Sequence, residues 1–294
     1  MLTQVELISP NKEIAPVIIA GDNANQDGIA LEPGKQGWYD AKTSARTRNP
    51  AQRHGQQFLG FRYEPRDIVL KLLISNDGPN GGQQFRDREA LARALFAFDD
   101  YTTIRVTTDT TVRTMQVRLV EFDLDTEIDP NVAEATSLIV TCVADDPFWY
   151  GPEFVKEFRQ DRGGAATFWE VTLPKDRLGE VESYPRLAII SAQGGSWPVI
   201  KIPREANRGS SPRVTLPQPT GTQRVKMFVN YDPGSRQVED EYNTLIWAAM
   251  NGVRFGGGIR AGKTHEVFRM NVDIPSGAAL RITFSFSPRY NTPW

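Results

Sequence analysis

Apolar residues recur at every second position in many segments of this chain, and this period strongly limits the folds it can adopt. The run from Val112 to Leu124 shows the alternation, and Arg66 to Ser75 repeats it. Because successive side chains of a strand point to opposite faces, this spacing predicts half-buried β-strands. One segment, residues 84–99, instead has apolar residues at the positions of one helix face, namely Leu91, Ala94, Leu95 and Phe98. The sequence therefore predicts a mainly β protein with one α-helix in its N-terminal half.

A break in the strand pattern lies near the midpoint of the 294 residues, a length that suggests about two domains. Asp145 to Gly151 reads Asp-Asp-Pro-Phe-Trp-Tyr-Gly. Pro147 lacks an N–H group and has a fixed φ angle, so a strand ladder does not easily run through it. A solvated linker has no need of three large aromatic side chains, so we expect a packed junction between domains at 1–146 and 147–294. The residues expected to pack there and to fix the relative pose of the domains are Pro147, Phe148, Trp149 and Tyr150.

The second half of the chain has the turn spacing of an all-β domain. Its candidate strands are separated by turn sequences such as Gly194-Gly195, Pro233-Gly234 and Ser276-Gly277. Short strands with turns at this spacing predict a β-sandwich or jelly roll. Thr244 to Met250 fits a short helix and a strand about equally well, so both alternatives stay open.

Composition argues against several classes of function. The net charge of −2 gives no basic field of the kind that nucleic-acid-binding domains carry. No apolar run reaches the length of a membrane span, and Met1 is not followed by the basic and apolar regions of a signal peptide. The single cysteine, Cys142, is expected to be a small buried apolar residue. We therefore expect a protein that is cytosolic when made, with no membrane partner.

A search for catalytic or metal-binding constellations finds no convincing set. His54 and His265 lack partners at metal-ligand spacing. Gly257 to Thr264 matches a phosphate-binding loop in its letters, but an alternating strand pattern follows where that loop requires a helix. The sequence contains no recognisable set of acid, base and nucleophile residues that would indicate a hydrolase. The sequence therefore predicts no enzyme activity, no catalytic residues, no cofactor and no metal.

Two charged segments have alternative interpretations. The carboxylates of Asp123 to Asp129 alternate at the end of a strand, which suits a calcium site or a solvated strand end that discourages edge pairing. The polar stretch Ala41 to Gly55 contains Arg46, Arg48 and Arg53 and almost no apolar residue, so it adds little to a core. A long polar loop in a compact domain usually has a protein partner. These arginines are therefore candidate interface residues.

Taken together, the motifs resemble the distal tail proteins of long-tailed, non-contractile phages, especially the minor tail proteins of phages that infect actinobacteria. Arg66 to Phe122 has the strand, loop, helix and hairpin order of the ring-forming domain in this family. Ala144 to Gly151 is similar to its domain junction. In the C-terminal region, Phe228 to Val238, Met250 to Phe255 and the Pro-Arg-Tyr and Pro-Trp motifs of Ser287 to Trp294 complete the resemblance. The stretch Gly21 to Gly55 departs from the family pattern.

The resemblance implies a structural virion protein at the tail tip that forms a homohexameric ring. The N-terminal domain would be similar to tail-tube proteins and form the ring wall, and the C-terminal domain would be a galectin-like sandwich facing outwards. The implied partners are further copies of the chain, the tail tube protein, the tail-tip hub or tail-associated protein, and the tape measure protein. Genome DNA would only pass through the ring lumen. On this basis a fragment ending at Tyr150 is expected to form the ring.

A carbohydrate-binding module is the alternative hypothesis. The C-terminal sandwich would then attach the tail tip to glycans on the host surface, with stacking faces from Trp197, Tyr231 and Trp247. Aromatic residues of a sandwich are more often part of its core, and a galectin-like fold does not by itself imply sugar binding. The structural role is therefore the main prediction.

Overall fold

The computed structural model describes most of the chain. The described residues are 3–49, 54–76, 82–125, 127–129, 132–161, 164–191, 197–206, 211–218, 226–242, 244, 246–262, 265–276 and 278–294. They fold into two units, of which the first comprises Met1–Gly151 together with Tyr290–Trp294 and the second comprises Pro152–Arg289. The first unit therefore continues past the break at Pro147 and includes a segment from the far end of the sequence.

The first unit is built on one antiparallel sheet and one α-helix. Its elements are β1 (Gln4–Ile8), β2 (Val17–Ala20), β3 (Ile29–Leu31), β4 (Thr43–Arg48), β5 (Gln57–Tyr63), β6 (Arg66–Ser75), α1 (Gly82–Ala94), β7 (Thr102–Thr107), β8 (Val112–Leu124), β9 (Ala135–Ala144) and β10 (Trp149–Tyr150). The main sheet has the order β2-β1-β7-β8-β9-β6-β3, and β10 pairs with β8. The strands β4 and β5 form a separate two-stranded sheet.

Burial alternates along the central strands, as their sequences require. In β9, alternate residues from Thr136 to Ala144 are buried and those between them are only partly buried. Strands β7 and β8 form an antiparallel hairpin in which Thr107 lies opposite Val112. Cys142 of β9 is completely buried, and this burial raises the pKa of its thiol to about 12. Its expected role as a small buried apolar residue is therefore confirmed.

The α-helix spans Gly82–Ala94, so it begins and ends earlier than the helix predicted at 84–99. The buried side chains of this region are Phe85, Ala92, Leu95 and Phe96. The chain leaves the helix after Ala94, and the hydroxyl of Thr102 donates to Leu95 O at 2.7 Å. Phe98 then lies beyond the helix and is 63% exposed. The predicted apolar face is therefore wrong at Ala94 and Phe98, which are both exposed.

Two segments that lack a periodic apolar pattern contain strands. Strand β3 lies within the Gly- and Asn-rich stretch 21–36 and pairs with β6. Strand β4 lies within the polar stretch 41–55 and pairs with β5. Periodicity did not reveal them, because β3 has only three residues and β4 has no large apolar side chain to mark one face. The loop interpretation of 41–55 is therefore wrong for Thr43–Arg48.

The second unit is a two-sheet β structure with one shared core. Its strands are β11 (Phe154–Gln160), β12 (Gly164–Pro174), β13 (Arg186–Ser191), β14 (Val199–Pro203), β15 (Arg213–Thr215), β16 (Lys226–Asn230), β17 (Val238–Asp240), β18 (His265–Ile274) and β19 (Leu280–Phe286), and β20 (Arg289–Tyr290) lies where the chain returns to the first unit. One sheet has the order β11-β19-β13-β16-β17 and the other β12-β18-β14-β15. Buried residues of both sheets form a single apolar cluster, as in a β-sandwich.

The predicted fold class is confirmed, since the described residues are mainly β with one α-helix. For the segment 244–250, where a short helix and a strand were left open, the structure has a short 3-10 helix at Trp247–Met250. None of the helices formed by the described residues is both long enough and apolar enough to cross a membrane.

Candidate assembly surfaces of the first unit

The tryptophan that follows Pro147 in the junction motif is a core residue of the first unit. Trp149 is completely buried, and its indole N–H donates to Trp38 O at 3.1 Å. The two indole rings lie 5.7 Å apart, centroid to centroid, with a tilt of 44°. Burial of a large aromatic ring stabilises a fold strongly, and the one polar atom of this side chain has a partner.

The other members of the junction motif also pack within the first unit. Phe148 is 4% exposed, and its ring meets that of Tyr63 edge-on at 4.7 Å. Tyr150 pairs with Thr114 of β8, and Pro147 is buried. That these residues set the relative pose of the two units stays a prediction.

The segment Tyr290–Trp294, called the strap below, is held in the first unit by a buried arginine. Arg66 is 4% exposed and begins β6. Its guanidinium donates to Gly37 O at 3.4 Å, to Trp38 O at 3.1 Å and to Asn291 O at 3.2 Å. Burial lowers the pKa of Arg66 to about 10. A buried cation of this kind is stable only while its acceptors are in place.

A second buried arginine holds the strap from β8. The guanidinium of Arg113 lies 3.7 Å from the ring centroid of Tyr290 and donates to Thr292 O at 2.8 Å. Trp294 packs edge-on against Tyr39, with 5.2 Å between ring centroids. Cation–π contacts and charge-assisted hydrogen bonds gain strength where water is excluded. The strap is therefore an integral part of the first unit.

The sequence analysis missed both of these arginines, although the strand period contains the signal. Arg66 has the same phase as Ile68 and Leu70, which are buried. Arg113 has the same phase as the buried Met115 and therefore belongs to the inward face of β8. An arginine in an apolar phase of an alternating strand indicates a buried cation that needs a partner.

The predicted interface arginines lie on the β4–β5 hairpin. Arg46 and Arg48 are exposed on β4, whereas Arg53 lies outside the described residues. Within the described residues, the side chains of Arg46 and Arg48 have no hydrogen-bond or ion-pair partner. Arg62 of β5 differs from them because its side chain has a partner: its Nε lies 2.8 Å from Oε1 of Glu64. The two β4 arginines are therefore available to another molecule.

The same hairpin exposes large apolar side chains. Phe58, Leu59 and Phe61 of β5 are 63%, 60% and 57% exposed. Phe61 and Arg46 belong to successive residue pairs of the hairpin, so they point to opposite faces. A two-stranded hairpin is marginally stable by itself in water. An amphipathic hairpin with exposed rings is therefore expected to be covered by a partner.

The carboxylates at the end of β8 lie on an exposed surface. Glu121, Asp123 and Asp125 are exposed, whereas Phe122 and Leu124 between them pack against the core. Across the described ranges, no group of three or more His, Cys, Asp or Glu residues is arranged to hold a metal ion. The geometry therefore gives no support to the calcium alternative.

The aromatic residues assigned to sugar stacking are not all available to a ligand. Tyr231 is completely buried, its hydroxyl donates to Pro203 O at 2.5 Å, and burial raises its pKa well above the usual value. Trp197 is partly buried against the core of the second unit. The side chain of Trp247 lies outside the described part of the structure. The assignment of Tyr231 to a sugar-binding face is therefore wrong.

Comparison with known sequences connects this chain with phage tails. It is 24% identical over 296 aligned residues to minor tail protein Gp27 of Mycobacterium phage D29 and 25% identical to minor tail protein Gp27 of Mycobacterium phage L5. Each alignment covers 82% of this chain and 88% of the relative. No protein-family model matches the sequence.

Comparison with solved structures defines the class by its fold. The chain is similar to the SPP1 Dit (gp 19.1) protein, described as a paradigm of the hub adsorption apparatus in phages that infect Gram-positive bacteria. The TM-score is 0.60 at 14% sequence identity, and the match covers 97% of this chain and 98% of that one. This is the fold of a phage distal tail protein. The mycobacteriophage minor tail proteins are its sequence relatives, so the predicted resemblance to tail components of the virion is confirmed.

Proposed function

We propose that this protein forms a homohexameric ring at the tail tip and joins the tail tube to the tail-tip hub. The observation that carries the proposal is similarity over the whole length, since the match to the SPP1 Dit protein covers 97% of this chain and so extends over both units. A fold does not define a function by itself. The independent similarity to two minor tail proteins therefore adds the second support.

The surfaces of the first unit support a ring. A closed ring of identical subunits needs two different, complementary surfaces on each copy, because each contact is head-to-tail. The first unit has an uncovered amphipathic hairpin and, on β8, an exposed acidic strand end. In the proposal the first unit is similar to tail-tube proteins and forms the ring wall. The second unit is a galectin-like sandwich that faces outwards.

The partners follow from the position of such a ring. They are the tail tube protein on one ring face and the tail-tip hub or tail-associated protein on the other. The tape measure protein is a further partner, and genome DNA only passes through the lumen. The role is structural rather than enzymatic, as expected from relatives that are tail proteins.

The direct test is the oligomeric state of the purified full chain. Native mass spectrometry and electron microscopy at micromolar concentration are expected to show a six-copy ring, which stacks on rings of the tail tube protein of the same phage. A chain that stays monomeric at high concentration, and still does so when the tail tube protein is added, would contradict the proposal.

A further inference from the structure

We infer that the β4–β5 hairpin of one copy docks onto a surface of the next copy, called the acidic patch, and that this contact closes the ring. The inference deepens the proposed function and rests on it. The acidic patch is formed by Phe98, Asp99, Asp100, Val120, Glu121 and Asp123.

The two segments that form the acidic patch are joined by a backbone hydrogen bond. The loop that follows α1 lies beside β8, because the N–H of Leu119 donates to Ala97 O at 2.9 Å. This contact places the loop that carries Phe98, which is 63% exposed, beside the part of β8 that carries Val120, which is 49% exposed. The patch carboxylates are exposed around these two side chains, and no ion pair within the described residues engages them.

Strand β8 also has a backbone edge at this patch with which no described strand pairs. Strand β7 pairs with β8 only as far as Val117, whereas β9 covers the opposite edge from Arg118 to Leu124. On the side of β7, the N–H of Leu119 donates to Ala97 O, and no described strand pairs with this edge beyond that residue. Val120 is the extra residue of a β-bulge at this point. Open strand edges with exposed apolar residues accept segments of other chains.

The hairpin and the acidic patch complement one another. The hairpin has Arg46 and Arg48 on one face and Phe58 and Phe61 on the other. The patch has exposed carboxylates that neighbour two exposed apolar side chains in the sequence. Opposite charges steer association and fix register, and buried aromatic rings supply most of the affinity. Among the described residues, no hydrogen bond, ion pair or ring contact joins the two surfaces within one chain, so we assign the hairpin that fills a patch to another copy.

This arrangement identifies a second copy of the chain as the occupant. Every copy carries both surfaces, and the surfaces are different, so the contact is head-to-tail and repeats from copy to copy. Such contacts form a closed ring when the rotation between copies divides a full turn, which is the assembly required by the proposed function.

Charge reversal tests the contact directly. One variant combines Arg46→Glu with Arg48→Glu on the hairpin, and the other combines Glu121→Lys with Asp123→Lys on the patch. Each variant is expected to lower the fraction of rings at least about tenfold in native mass spectrometry, because like charges then meet at the contact. Both changes in one chain restore opposite charges and are expected to restore the ring.

Mixing the two single-surface variants makes the test more stringent. In the mixture, each reversed surface finds its complement only on a chain of the other kind. We therefore expect rings in which the two chains alternate, with equal numbers of each, although neither chain assembles by itself. Lys156→Glu with Arg186→Glu makes the same charge change on exposed residues of the second unit and is expected to leave the ring intact.

Several outcomes separate this inference from the proposed function. If the wild type forms rings and either single-surface variant does so equally well, the hairpin covers another tail protein and the inference is overturned while the ring stands. Failure of the mixed sample overturns it in the same way. A monomeric wild type overturns the proposed function itself. If the lysine variant of the patch does not fold, the isosteric pair Glu121→Gln and Asp123→Asn replaces it, with a smaller expected loss of rings.

Discussion

The first unit contains two pairs of arginines in opposite environments. Arg66 and Arg113 are 4% and 8% exposed and donate to backbone carbonyls of the strap. Arg46 and Arg48 are exposed on the hairpin, and their side chains have no partner within the described residues. A buried guanidinium must be compensated inside its own chain, whereas an exposed one contributes little to stability. The comparison separates residues that hold one copy together from residues that can hold neighbouring copies together.

Loss of the strap is expected to have the largest effect. Deletion of Tyr290–Trp294 removes the acceptors of Arg66 and Arg113 in that segment and the ring under Arg113. Each hydrogen-bonded charge contributes roughly 1.5–3 kcal/mol, so we expect the free energy of unfolding to fall by about 3–6 kcal/mol. Urea denaturation of the full chain and of the deletion variant measures this difference.

The same argument revises the expectation for the N-terminal fragment. A fragment ending at Tyr150 lacks the strap and leaves two arginines without those carbonyls, so it is expected to be unstable unless the strap peptide is supplied. Trp294→Ala is the matched control, because this side chain is 44% exposed and its loss leaves both arginines paired. A deletion variant as stable as this control would show that the strap does not compensate the buried charges.

The next largest effect on stability is expected when Trp149 of the junction motif is replaced. Trp149→Ala removes a completely buried indole and is expected to cost about 3–5 kcal/mol. Trp149→Phe keeps an aromatic ring but loses the hydrogen bond to Trp38 O, so it should cost clearly less. Thermal unfolding of both variants shows which of them loses more stability. Equal losses would mean that packing at this position is loose, contrary to the complete burial of Trp149.

The sequence predicted the secondary-structure elements better than it predicted the contacts that residues distant in sequence make with them. The alternation along β9 was sufficient to place its strand, since each inward residue is apolar or small. The strap has no period of its own, and its contacts span 225 residues to Arg66 and 179 to Arg113. The hairpin was missed for a different reason, because β4 is exposed on both faces and so lacks the burial pattern from which strands are recognised.

A smaller effect is expected when Arg113 becomes lysine. Arg113→Lys keeps the charge but loses the planar guanidinium that stacks 3.7 Å from the centroid of Tyr290. We expect a cost of about 1–2 kcal/mol, the range of a desolvated cation–π contact. Arg118→Lys on the same strand is the control, since Arg118 is more exposed and pairs with Asp145 at 3.5 Å. If both changes lower the free energy of unfolding by the same amount, the inward Arg113 and the outward Arg118 of β8 do not differ in their contribution to stability.

The smallest effect on stability is expected at the exposed pair. Arg46→Gln combined with Arg48→Gln should change the free energy of unfolding by less than about 0.5 kcal/mol, as exposed substitutions usually do. Assembly should nevertheless weaken, and its dependence on salt should become shallower, because raising ionic strength from 0.1 M to 1 M shortens the Debye length from about 10 Å to about 3 Å. Ring fraction against salt concentration, measured for both chains, checks this. If the variant loses stability but keeps the salt dependence of the wild type, the hairpin arginines stabilise the fold of a single copy, as Arg66 and Arg113 do. Their proposed role between copies would then be wrong.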